Sequence, residues 1–211
     1  MHCPMRCGFA RGIGYTASRI MRWIDKDVRD DAPLGLQWTR DFLARFDTST
    51  IEWVRIDRGR GKYEGVYGRC WLPDDDRPTF RLSCQVPGPF PCDIVTRKPP
   101  VYQREDGTFP RAPRGCRRGV RCIDKRTGRQ WYRVIGRTRV DTIDEGIVWI
   151  MAHEGFHFLR RTRQIGGRDN EIQADQFSDD QLQAFRGEHV QNARIEPVSI
   201  IRKVQLLMPW A

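Results

Sequence analysis

One stretch of this chain marks both ends of a helix and places ionisable side chains inside it. Thr142-Ile143-Asp144-Glu145 is a Thr-x-x-Glu capping box, in which hydroxyl and carboxylate satisfy orphan amides at a helix start. Ile147, Val148, Ile150, Met151, Phe158 and Leu159 continue the helical pattern, and Gly166-Gly167 offers a stop beyond it. Within it stands His153-Glu154-Gly155-Phe156-His157. A spacing of four puts both imidazoles on one helical face, close enough to bind one ion through neutral ring nitrogens. Glu154 then falls beside the ion's open position, where it can accept a proton from a water whose pKa the ion lowers to about 7. The alternative is a chance match, since the pattern leaves two of its five positions free.

The residues downstream extend the pattern. In Asn170-Glu171-Ile172-Gln173-Ala174-Asp175-Gln176-Phe177, Glu171 and Asp175 are again four apart on one helical face. Glu171 could complete a site of two histidines and one glutamate, and Asp175 could accept the remaining ring N–H of a liganding histidine and fix its tautomer. With Asp179 and Asp180 following, both acids also read as the solvated face of an acidic helix.

Together these residues resemble the gluzincin metallopeptidases, and the Glu-x-x-Ala-Asp form followed by Phe177 is similar to small bacterial and phage metallopeptidases of the ImmA/IrrE and SprT-like kinds. The match covers residues 147–177. It implies an α+β, zincin-like fold: a small mixed sheet whose edge strand lines the cleft, packed on the His-Glu-x-x-His helix, with the third ligand on the following helix. It also implies one catalytic zinc ion held by His153, His157 and Glu171, with Glu154 as general base and Asp175 behind a ligand. The sequence departs from the family in two places. The gap between His157 and Glu171 is shorter than in thermolysin, and no tyrosine follows Tyr132 to stabilise an oxyanion. His189 and Arg186 are the candidate substitutes for that tyrosine, and His189 is also an alternative third ligand.

Elsewhere the chain is read for organisation. An apolar side formed by Ile20, Met21, Trp23, Ile24 and Val28 predicts a helix over 18–28, and Leu36, Trp38, Phe42, Leu43 and Phe46 predict a second one. Strands are expected near 51–56, 63–71 and 79–86. Seven prolines between residues 87 and 125 oppose regular structure, so this Pro/Arg-rich stretch is read as a long excursion. Residues 131–140 read as a last strand at a sheet edge, along which an extended substrate could pair. The expected division is a helical, Cys-containing segment at 1–30 and a catalytic domain at 31–211, sizes that 211 residues allow.

Composition bounds the rest. With 39% hydrophobic and 30% charged residues, the chain reads as an ordinary globular protein, with no apolar run near the roughly 20 residues a membrane span needs. The N-terminus lacks a secretory pattern, so a cytoplasmic location is the expectation. The seven cysteines are expected to be reduced. Cys84, Cys92, Cys116 and Cys122 bracket the excursion and are candidates for a second, structural zinc ion. The formal charge of +10 makes nucleic acid a candidate partner beside a protein or peptide substrate, through the arginines near Tyr102, Phe109 and Trp131. Two functions from different classes follow: a zinc metallopeptidase, and a basic nucleic-acid-binding or regulatory protein with a structural or vestigial metal site.

Overall fold

The computed structural model describes residues 21–59 and 65–194. In chain order the elements are β1 (Arg22–Ile24), α1 (Pro33–Ala44), β2 (Ile51–Asp57), β3 (Gly65–Trp71), β4 (Phe80–Gly88), β5 (Cys92–Tyr102), β6 (Arg117–Ile123), β7 (Gln130–Val140), α2 (Ile143–Arg161) and α3 (Glu171–Arg194). The fold is α+β with two sheets. One runs β1-β2-β4-β3, with β1, β2 and β4 parallel and β3 antiparallel to β4 at the edge. The other is the antiparallel set β5-β7-β6.

The centre of the molecule is α2. Thr142 caps it, accepting from the Glu145 amide at 3.2 Å, and Glu145 reaches back to the Asp141 amide at 2.7 Å. Every residue from Gly146 to Phe156 is buried. The helix packs on β3 and β4 and is flanked by α1 and α3. Burying this much apolar surface is the main favourable term available to such a fold.

Glycines set how closely α2 can be approached. A Cβ on Gly155 would lie 2.6 Å from Cε1 of Phe42, whose ring is buried and stacked against Trp38 at 5.0 Å. Gly155→Ala is therefore expected to destabilise the fold, by up to about 2 kcal/mol, because overpacking costs ~1–3 kcal/mol against the ~1 kcal/mol of added helix propensity. Denaturant unfolding measures this, and a gain in stability would show that Phe42 has room to move.

Four sequence expectations change here. Residues 22–24 form β1, paired in parallel with Arg22 opposite Trp53, and turns follow it, so the helix over 18–28 is not formed there; 18–20 lie outside the described residues. The turn is held by buried Asp25, which takes Arg29 at 2.7 Å on one oxygen and Arg40 on the other. Second, a boundary at residue 30 falls inside one body, since Val28 and Ala32 share the core with α2; residues 1–20 are outside the description.

Third, the excursion contains β5 and β6. Pro99 and Pro100 sit where the β5–β7 register shifts between Lys98 and Val101, on a strand at a sheet edge, where a missing N–H is tolerated. Fourth, β7 is bonded to β5 on one side and β6 on the other, so it is a central strand. Its Arg137 and Arg139 point to the exposed face while Val134 and Val140 are buried, an alternation that one solvated face allows. Among the described residues no helix is long and apolar enough to cross a membrane.

Candidate metal centre

Local sequence explains how the two helices aim at each other. After α2 ends at its Thr162 cap, Gly167 takes a positive φ of 110°, a conformation that favours glycine. Asn170 then caps α3: its side chain accepts from the Gln173 amide at 3.0 Å, while Gln173 accepts from the Arg168 amide at 2.8 Å. This puts Glu171 in the first turn of α3, where helix amides favour an anion, and Asp175 one turn later.

The donor atoms converge. His153 Nε2 and His157 Nε2 are 3.3 Å apart, and the Glu171 carboxylate lies 3.4 Å from the first and 3.7 Å from the second. Donors around a tetrahedral ion with bonds of about 2.0–2.1 Å are separated by roughly 3.3 Å. Among the described residues this is the group that could hold a metal ion.

Both rings are oriented from behind. His157 Nδ1 is 2.6 Å from Asp169 Oδ1, and His153 Nδ1 is 3.1 Å from Asp175 Oδ1. The second contact is close but short of an aligned hydrogen bond. A carboxylate at Nδ1 favours the proton there and leaves the Nε2 lone pair directed at the shared point. Asp169 is in turn paired with Arg161, and Asp175 accepts the Arg97 amide at 2.5 Å. The Arg97 side chain pairs with Glu171, which is 50% exposed.

Asp169 is absent from the sequence expectation. It belongs to the loop between the helices, outside any periodic pattern, and its only signal is its place just before the Asn170 cap. Asp169→Asn is expected to weaken metal binding about 10–100-fold, the usual effect of losing such a partner, without unfolding the chain. Competition with a chelator measures it; unchanged affinity would remove Asp169 from the centre.

Glu154 is buried between α2 and β3. A Cβ on Gly68 would lie 2.6 Å from Glu154 Oε1, so only glycine on that strand leaves room for the carboxylate, which also accepts a hydrogen bond from the Cys70 backbone. Burial pushes the Glu154 pKa up, with His153 and His157 offsetting only part of it. At His153, burial pulls down, but Asp175, Glu154 and Glu171 together raise the ring above its ordinary value. Burial raises Asp169, yet His157 and Arg161 bring it below the carboxylate norm. Cys70, beside the cleft, is pushed up to about 12, first by burial and then by Glu154, so its thiol stays protonated and offers no competing nucleophile.

These side chains face an open cleft of about 800 Å³. One wall is β3, from Val66 to Cys70, and the other is β5, through Ile94, Val95 and Arg97, with α2 as the floor. Each sheet thus presents an edge strand to the cleft. The Arg97 amide of β5 is already taken by Asp175 on α3.

The remaining candidates stand elsewhere. Cys84 is buried in β4 of the first sheet, Cys92 and Cys122 are on β5 and β6 of the second, and Cys116 precedes β6. These four do not form a metal-holding group: Cys84 is on the other sheet, and Cys92 and Cys122 lie at opposite ends of β7, beside Val140 and Trp131. Arg186 is engaged by Glu145 at 2.5 Å and by the Arg139 carbonyl at 2.7 Å, away from the cleft. His189 lies on the backbone of α3, and its side chain is outside the described residues.

No model of a known protein family matches the chain, and no curated protein or solved structure does so either, so the functional reading rests on the site itself.

Proposed function

We propose that this chain is a zinc-dependent metallopeptidase of the zincin kind. The observation that carries the reading is the meeting of His153 Nε2, His157 Nε2 and the Glu171 carboxylate at 3.3–3.7 Å, with an acid behind each ring and the Glu154 carboxylate lining the same cleft. Two imidazoles and one carboxylate are a donor set that favours zinc over harder cations. When bound, the ion supplies Lewis acidity, which acidifies water and polarises a carbonyl.

The side chains of this protein supply the rest. Glu154 takes a proton from the attacking water and returns it to the leaving amine, and its raised pKa brings it nearer the operating range of a general base. The substrate pairs as an extended strand with β3, since β7 is bonded on both sides and the edge of β5 is covered by α3 at Arg97. Arg97 takes the place of the missing tyrosine, presenting positive charge at the cleft where the carbonyl oxygen becomes negative.

The test is to strip metal from the full chain, restore one equivalent of zinc and incubate it with an unfolded polypeptide of mixed sequence. New peptide N-termini that appear only with the ion are expected. Stoichiometric zinc binding without cleavage of any unfolded polypeptide in a broad panel would overturn the peptidase reading.

A further inference from the structure

The charge of this chain is concentrated in one place. Residues 92–140, which span β5, β6 and β7, hold fourteen Arg and Lys against four Asp and Glu, a formal +10. The rest of the chain holds twenty-three of each sign and is formally neutral. A bias of composition alone would spread the excess over the whole sequence. Here it is confined to the three-stranded sheet and its loops.

The charges there are also available. Ion pairs engage Arg97, Lys98, Arg137 and Arg139, and among the described residues the other ten basic side chains of this segment have none. Three of its four acids are engaged: Asp93 pairs with Arg137, while Asp106 and Asp124 accept backbone amides within their own turns.

Aromatic rings are interleaved with the cations at one end of the sheet. Tyr102 and Trp131, paired across β5 and β7, have centroids 6.4 Å apart, and Arg129 lies 4.3 Å from the Tyr102 ring. Phe109 and Tyr132 are 4.7 Å apart, flanked by Arg118 and Arg121. Tyr102, Val120 and Ile123 are exposed on the same end.

We infer that the β5-β7-β6 sheet binds single-stranded nucleic acid, with phosphates on the arginines that have no acidic partner and bases stacked at the Tyr102–Trp131 end. The polyanion matches the segregated charge. The exposed Tyr102, the half-buried Trp131 beside it and the exposed apolar Val120 and Ile123 select a strand whose bases are unstacked, because a duplex keeps its base faces covered. The inference is independent of the metal centre.

The test is fluorescence anisotropy of the full chain with a labelled strand of roughly twenty nucleotides, as DNA, as RNA and as the DNA duplex, with a sulfated polysaccharide as competitor. Tighter binding to a single strand than to the duplex is expected, weakening on the order of 10³-fold between ~50 and ~200 mM salt. Preference for the DNA or the RNA strand identifies the source of the ligand. Tyr102→Ala and Trp131→Ala should each weaken it roughly ten-fold. Arg129→Glu with Arg133→Glu, on exposed positions that leave the core intact, should weaken it more. No binding at low salt would overturn the inference. So would equal affinity for duplex and polysaccharide untouched by the aromatic variants, or a preference for an acidic polypeptide over either strand.

Discussion

Glu154→Gln is expected to hydrolyse peptide roughly 10³-fold more slowly, within the 10²–10⁴ range of a lost general base, while binding zinc as the parent does. The two side chains have the same shape, so the fit against Gly68 and the Cys70 backbone is kept. What is lost is the ability to take and return a proton. The decrease should therefore fall on kcat, with KM little changed. Equal turnover by parent and variant, at equal metal content, would take Glu154 out of the chemistry.

His157→Ala should act one step earlier, on the ion itself. Structural zinc binding is worth ~10–16 kcal/mol over four ligands, so one ligand accounts for about 3 kcal/mol, or roughly two orders of magnitude in affinity. The parent should gain about 2.7 kcal/mol of stability at zinc a hundred-fold above Kd. For a chain of this size that is a rise in Tm of about 5–10 °C. The variant should show little of that rise at the same concentration and no hydrolysis. An undiminished thermal shift would mean that zinc binds elsewhere.

Sequence and structure agree best where the chemistry is local. The positions of His153, Glu154 and His157 relative to one another follow from helical period alone, and Thr142 as the cap fixes where that period begins. Glu171 and Asp175 were legible for the same reason. Asp169 was not, because a loop residue has no period and its meeting with His157 depends on how the connection closes. Gly68 and Gly155 were equally silent, since a glycine carries no sign of what approaches it.

The fold was less legible where tertiary pairing decides. Pro99 and Pro100 argued against a strand, yet an edge position with a register shift accommodates them. The arginines of residues 131–140 suggested an edge, but one solvated face is enough to hold them on a central strand. Met21, Trp23 and Val28 fitted a helical pattern only because a three-residue strand followed by a turn leaves too short a record to distinguish the two periods.

The most direct measurement of the central claim is zinc X-ray absorption on the purified chain, compared between the parent and Glu171→Ala. The account expects one zinc per chain, bonded at about 2.0–2.1 Å to two imidazoles and to oxygen, with the carboxylate contribution lost in the variant. Substoichiometric zinc, a sulfur neighbour at about 2.3 Å, or a spectrum unchanged by Glu171→Ala would contradict it.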